Sequence, residues 1–270
     1  MSETAQQVRP KRSPKLFGWL LMPLALLVAV GAWFTFDPAF GRRNGGAQFA
    51  ANMPKDEFEQ RVRAYLLEHP EVIAEAINRL EARQGAQETT EVQAVLRSRA
   101  EEIFRDPDSP VGGNPDGDVT LVEFFDYNCP YCRQMAPLMR EAQAADSKLR
   151  VVFKEFPILG PNSTFAAKAA LAAHKQGKYL AFHDGLMKLR GTADEKKALE
   201  VAASVGLDLD RLRTDMEAPA ILALVQRNLD LARALRINGT PGFAIGDKAF
   251  AGATDLKGLQ ALISEARDGR

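Results

Sequence analysis

Cys129-Pro130-Tyr131-Cys132 holds the only two cysteines of this 270-residue chain. The run Val119-Thr120-Leu121-Val122-Glu123-Phe124-Phe125 leads directly into it. A strand that delivers a C-x-x-C onto the start of a helix lowers the pKa of the first thiol and permits rapid disulfide exchange. Unpaired backbone N–H groups at the helix N-terminus favour the thiolate of Cys129. On this reading Cys129 is the exposed nucleophile that attacks a disulfide. Cys132, one helical turn further in, resolves the mixed disulfide, and Pro130 and Tyr131 shape the surroundings of the Cys129 sulfur. A structural zinc site needs four close ligands. There is no second C-x-x-C, and His69, His174 and His183 are scattered. Paired thiolates also suit Cu(I), which leaves a copper-binding role for Cys129 and Cys132 as an alternative. No methionine- or histidine-rich tract accompanies them. A G-x-G-x-x-G or G-x-x-x-x-G-K-[ST] phosphate loop and a nucleophile-elbow serine are both missing, so no cofactor is expected.

The flanking pattern supplies the elements that hold this pair. Val119 to Asp126 and Leu149 to Phe156 read as buried strands. Between them, Pro130 to Ala145 reads as a helix with a kink at Pro137. A helical block runs from Ser163 to Arg236. Gly239-Thr240-Pro241-Gly242 then leads into Phe243-Ala244-Ile245, a Gly246-Asp247 hairpin turn and Lys248-Ala249-Phe250. Asp255 to Arg267 closes as an amphipathic helix. Phe182 with Leu186, and Phe243 with Phe250, read as core, and His174 and His183 as surface or packing residues. Glu123 sits on the strand leading to Cys129, and Lys154 on the neighbouring strand is its candidate charge partner. A buried carboxylate there moves protons to or from Cys132, whereas an exposed strand-end pair does not. Asp126 is a second candidate for the proton role.

Lysine plus arginine equals aspartate plus glutamate at 35 each, which argues against a nucleic-acid binder. Arg9, Lys11, Arg12 and Lys15 precede an uncharged stretch from Leu16 to Phe36. As a helix that stretch spans roughly 31 Å, about one hydrocarbon core. Its exit, Phe34-Thr35-Phe36-Asp37-Pro38, lacks the small residues of a cleavage site and favours an anchor over a removed signal peptide. The charge asymmetry keeps residues 1–15 in the cytoplasm and sends the rest into a bacterial periplasm, with soluble periplasmic protein after cleavage as the alternative. Residues 37–54 read as a linker. Phe58, Val62, Tyr65, Leu66, Ile73, Ile77 and Leu80 recur at helical spacing, with Pro70 opening a second helix and Gly85 with Thr89-Thr90 marking a second break. Val92, Val95, Leu96, Ile103 and Phe104 continue the stripe. Residues 55–105 are therefore read as a helical oligomerisation stalk, with packing onto the chain's own domain as the rival.

Strand, C-x-x-C helix, strand, helical block, Thr-Pro, hairpin and helix, in that order, together with Phe124-Phe125-Asp126-Tyr127-Asn128-Cys129-Pro130-Tyr131-Cys132, resemble the DsbA-like branch of the thioredoxin superfamily. The resemblance covers about Pro107 to Arg267. With the amphipathic segment before it, the chain looks most similar to the suppressor of copper sensitivity protein C type. It implies an α/β thioredoxin-like fold in residues 106–270 with a helical insertion at about 160–236. It further implies a cis Thr240-Pro241 bond facing the cysteines, a Thr240 backbone open to client strands, and an acidic residue at Glu123 beneath the site. Relatives of this type are periplasmic disulfide isomerases that trimerise through N-terminal helices, which implies a homotrimer acting on misfolded clients. Reduced Cys129 would then be maintained by a membrane thiol reductase. DsbA oxidases carry histidine before the second cysteine where this chain has Tyr131, which argues against a strongly oxidising potential. A DsbA-type oxidase and a tethered holdase remain the rival readings.

Overall fold

The computed structural model describes residues 53–269. The described residues divide into two units, 53–79 and 80–269. The expected anchor at 16–36, the cytoplasmic tail at 1–15 and nearly all of the linker at 37–54 lie outside the described residues. Among the described residues no helix is long and apolar enough to cross a membrane.

In the first unit, α1 (Lys55–Glu68) is followed by the start of α2 (Glu71–Ser98). Pro70 opens α2, its carbonyl accepting from the N–H groups of Ile73 and Ala74. A helix with an apolar stripe must bury it against something. Yet α1 buries none of its residues, and Phe58, Val62, Tyr65, Leu67, Ile73 and Ile77 are all exposed.

The break expected at Gly85 and Thr89-Thr90 is not there. Helix α2 runs through all three, and the hydroxyls of Thr89 and Thr90 donate to the carbonyls of Gly85 and Ala86 one turn back. Satisfying the hydroxyls within the helix removes their competition with the backbone ladder. From Val92 onward the stripe is no longer free. Leu96, and Ile103 on the short α3 (Ala100–Phe104), are buried in the core of the second unit. The apolar spacing that looked like one stalk is therefore divided between an exposed stretch before Gly85 and a packed one from Val92.

The second unit is built on a five-stranded sheet in the order β1-β3-β2-β4-β5. Strands β2 (Val119–Phe125) and β3 (Leu149–Glu155) are parallel, joined by α4 (Pro130–Ala145), which runs through Pro137. Both strands are apolar nearly throughout because both faces are covered. One face carries Leu121, Phe125, Val151 and Phe153 against α4, the helical insertion and the terminal helix. The other carries Val122, Phe124 and Val152 against Leu96, Ile103 and Leu235. Strand β1 (Val111–Gly113) pairs antiparallel with β3 in a segment dense in turn formers, which the sequence reading placed in a loop. Glycine is required at Gly113, where φ is +68° and a Cβ would run into the Leu149 carbonyl oxygen.

The insertion consists of α5 (Pro161–Lys175), α6 (Tyr179–Met187), α7 (Glu195–Ser204), α8 (Leu209–Met216) and α9 (Pro219–Ala234). Alanines 166, 167, 169, 170, 172 and 173 are buried on α5, allowing the close helix packing expected from their run. Strands β4 (Gly242–Ile245) and β5 (Lys248–Ala251) form the expected hairpin, with Gly246 at φ +57°. Helix α10 (Leu256–Asp268) is capped by Asp255, whose carboxylate accepts from Gly258 N–H at 2.7 Å.

Candidate active site

Cys129 is the N-cap residue of α4, and Pro130 occupies the first helical turn, where the missing N–H costs nothing. Both thiols are free and both are buried, so the exposed nucleophile expected at Cys129 is not seen: it keeps 4% exposure, against none for Cys132, because the Thr240 turn lies against it. Cys129 Sγ lies 3.3 Å from the Thr240 carbonyl oxygen, to which it can donate only while protonated. Its pKa falls from 9.0 to about 5. Hydrogen bonding from the Cys132 thiol contributes most, burial opposes it, and the Thr240 side chain and the N–H groups of Cys132 and Tyr131 add further stabilisation. Cys132 is fully buried and its thiol is pushed far up, by donating to the Cys129 sulfur, by burial and by the charge of Glu123. One sulfur is thus held as thiolate and the other as thiol, the division that nucleophile and resolving cysteine need.

The Thr240-Pro241 bond is cis, and this turn brings Thr240 against Cys129 although 111 residues separate them. Tyr131 is 58% exposed beside the site. Glu123 is buried on the α4 face of the sheet, and burial raises its pKa to about 8. Its Oε1 has no hydrogen-bond partner.

Lys154 is not the partner of Glu123. Glu123 is paired in register with Phe153, and Lys154 with Phe124, so the side-chain alternation of strands sends the two to opposite faces. Lys154 Nζ instead donates to Asp106 Oδ2 at 3.1 Å, Ser109 Oγ at 2.8 Å and the Glu102 carbonyl at 2.7 Å. Asp126 is buried, and its carboxylate is held by backbone: Oδ1 accepts from Asn128 N–H, and Oδ2 from the N–H groups of Ile158 and Leu159. It organises the loops around the site. His174 and His183 belong to packing, His183 inside an aromatic cluster with Phe125, Phe153 and Tyr179.

Three residues that the sequence reading passed over complete the surroundings. Asn128 donates to Ser163 Oγ at 3.1 Å and accepts from Ala193 N–H at 2.7 Å. Arg133 donates to the carbonyls of Tyr127 and Gly191, at 2.8 and 2.5 Å. Together they fasten the cysteine loop to the insertion. Glu155, buried at the end of β3, accepts from the hydroxyls of Tyr127 and Tyr179. Position beside the C-x-x-C could have flagged Asn128 and Arg133. An acidic residue in an otherwise apolar strand could have flagged Glu155.

Comparison with known proteins agrees with this geometry. The profile of the DSBA-like thioredoxin domain matches residues 120–264, and that of the copper resistance protein ScsC N-terminal domain matches residues 55–87. A thioredoxin-like oxidoreductase from Silicibacter pomeroyi is 48% identical, covering 62% of this chain and 97% of its own, with a TM-score of 0.61. The catalytic domain of Proteus mirabilis ScsC is 30% identical, covering 65% and 98%, with a TM-score of 0.60. BcfH of Salmonella enterica Typhimurium is 28% identical over 83% and 99%, with a TM-score of 0.68. Among curated proteins, the Na(+)/H(+) antiporter NhaA 1 of Salinispora arenicola is 32% identical over 164 residues, and the chain spans only 25% of its length. A match to that fraction carries no transport function here. A probable disulfide bond formation protein D of Bacillus cereus is 26% identical over 54% of this chain and 73% of its own length. The free thiol pair, the cis-proline turn facing it and these matches place the chain in the DSBA-like thioredoxin-domain family of thiol-disulfide oxidoreductases.

Proposed function

We propose that the chain is a membrane-anchored periplasmic disulfide isomerase that reshuffles client disulfides through Cys129 and Cys132. The observation that carries the chemistry is the placement of the pair: Cys129 caps the N-terminus of α4 against the Thr240 turn and Cys132 lies buried one turn further in, an arrangement that lowers the pKa of the first thiol and raises that of the second. The Cys129 thiolate attacks a client disulfide, and one client sulfur leaves with the electron pair. Cys132 then gives its proton to the Glu123 carboxylate and attacks the Cys129 sulfur, which releases the second client thiolate and leaves a Cys129–Cys132 disulfide. A client that rearranges first releases Cys129 unchanged, which is isomerisation. Thr240, beside the reacting sulfur at the cis-proline turn, offers backbone for strand-like pairing with a client segment. Pro130 starts the helix without an N–H, and Tyr131 lies open to the client.

Isomerase over oxidase is favoured by the first unit. Its apolar stripe, Phe58, Val62, Tyr65, Ile73 and Ile77, is exposed along α1 and the start of α2, and the ScsC N-terminal profile falls on the same helices. Copies of the chain, three on the resemblance, bury these stripes against one another and set several thiol pairs around one misfolded client. A membrane thiol reductase keeps the pairs reduced, and the apolar stretch at 16–36 anchors the chain. The oxidase reading is favoured by the similarity to the disulfide bond formation protein D of Bacillus cereus.

The test is reactivation of scrambled ribonuclease by the full chain and by Val62→Asp/Ile77→Asp, which breaks the stripe while leaving the buried Leu96 and Ile103 in place. The isomerase reading expects an oligomer that reactivates scrambled ribonuclease and a dissociated variant that loses most of that activity but still exchanges small disulfides. If the full chain only oxidises reduced ribonuclease and never rescues the scrambled form, the oxidase reading replaces it.

A further inference from the structure

Glu155 takes no part in the scheme above, yet it is a fully buried carboxyl on the same sheet face as Glu123. Strands β2 and β3 place Glu123 opposite Phe153 and Glu155 opposite Phe125. The two carboxyls are thus diagonal neighbours on one face of the parallel pair, close enough for the charge of Glu123 to act on Glu155.

Their hydrogen bonding is incomplete in complementary ways. Glu155 Oε1 accepts from Tyr179 at 2.8 Å and from Tyr127 at 3.0 Å, which fills both lone pairs. The contact of Tyr127 to His183 Nδ1 is longer, at 3.2 Å, so the Tyr127 proton is assigned to Glu155 and the His183 Nδ1–H donates to the Tyr127 oxygen. Burial pushes Glu155 well above the usual carboxylate range and holds His183 neutral, down to about 4. A neutral Glu155 whose Oε1 is saturated must carry its proton on Oε2. That atom is buried without a partner, and so is Glu123 Oε1.

Other groups surround the pair. Asp126 accepts from three backbone N–H groups, and the Asn228 amide N–H donates to the Glu155 backbone carbonyl while its Oδ1 is itself buried without a partner. Cys132 faces Glu123 from α4. Arg140 and Asp184, paired at 3.1 Å and partly exposed, act on His183 from outside. Arg133 gives Nε and Nη1 to the carbonyls of Tyr127 and Gly191, and its Nη2 is buried without a partner.

We propose that Glu155 is a positioning residue for the thiol chemistry: its protonated carboxyl donates from Oε2, directly or through one internal water, to the Glu123 carboxylate that receives the Cys132 proton. This inference rests on the Glu123 role proposed above. The donor holds Glu123 ionisable inside an apolar site. Through the two tyrosines it also fixes Tyr127, two residues before Cys129, against α6.

The test follows release of glutathione from a Cys129–glutathione mixed disulfide as a function of pH, in the full chain. Release consumes the Cys132 proton as written above, so its rising limb reports Glu123. Glu155→Met removes the donor and should move the limb to higher pH by about one to two units, since a hydrogen bond to a charged group contributes about 1.5–3 kcal/mol. Below the midpoint, release is then at least about tenfold slower. Glu155→Gln keeps an N–H for Glu123 and a carbonyl for both tyrosines, and should leave the limb within about half a unit. In Glu123→Gln the limb should vanish, and adding Glu155→Met should change nothing further. A limb unmoved in Glu155→Met, or moved equally in Glu155→Gln, overturns the proposal while leaving Glu123 in place. A limb that survives Glu123→Gln overturns the Glu123 role itself and this inference with it. Should Glu155→Met fail to fold, infrared spectra of the wild-type chain decide. A carboxylic-acid carbonyl band that persists above the limb and disappears in Glu155→Gln supports the assignment, and no such band refutes it.

Discussion

Replacing Cys132 tests how the low pKa of Cys129 is made. The largest contribution to its fall from 9.0 to about 5 is the hydrogen bond from the Cys132 thiol, ahead of the Thr240 side chain and the N–H groups of the first helical turn. A hydrogen bond to a charged acceptor contributes about 1.5–3 kcal/mol, and one pKa unit corresponds to about 1.36 kcal/mol. Cys132→Ala should therefore raise the Cys129 midpoint by about one to two units. Cys132→Ser keeps a donor at the same place and should hold it within about half a unit. The assay is ultraviolet thiolate absorbance of the reduced full chain against pH, paired with alkylation rates. Either variant has a single thiol, and in the wild type Cys132 is pushed too high to interfere. An Ala variant that titrates where the wild type does would refute the reasoning and return the whole effect to the helix terminus and Thr240.

Glu123 carries a raised pKa in the folded chain, about 8 against an ordinary 4.5, so the native state binds more protons than the unfolded chain between those values and stability falls as pH rises through them. Glu123→Gln should be more stable than wild type in denaturant titrations, with a gap that widens by up to about 1.4 kcal/mol per pH unit in that window and then levels off. Lys154→Met leaves Asp106 without its buried partner and should cost about 3–5 kcal/mol of stability. Because Lys154 faces away from Glu123, the pH dependence of glutathione release should not change. A shifted profile in that variant would show that the two faces of the sheet communicate.

The elements nearest the cysteines were legible because their signals are local. An apolar run, a C-x-x-C with proline at the first helical position, and a Gly-Asp hairpin each specify structure within a few residues, and β2, α4 and β4–β5 follow them. Tertiary context decided the rest. Strand β1 sits in a glycine-rich segment of low strand propensity, and its close approach to β3 uses Gly113, where a Cβ would meet the Leu149 carbonyl. Helix α2 survives Gly85 and two threonines because the threonine hydroxyls are satisfied along the helix, and its later apolar residues pack on the catalytic core. Pairing Glu123 with Lys154 failed because strand neighbours one position out of register point to opposite faces. Glu155 was invisible because its partners, Tyr127 and Tyr179, lie 28 and 24 residues away on other elements.

The central claim is that Cys129 is the nucleophile and Cys132 the resolving thiol of an exchange pair. Its most direct test is to react reduced Cys132→Ser and Cys129→Ser full-length chains with a disulfide-bonded client and locate the mixed disulfide by peptide mass spectrometry. The account predicts a stable adduct on Cys129 in the first chain and almost none in the second, where the remaining sulfur lies one helical turn deeper, without any exposure, and is held as thiol. Equal trapping by both chains, or trapping on Cys132 alone, would contradict it.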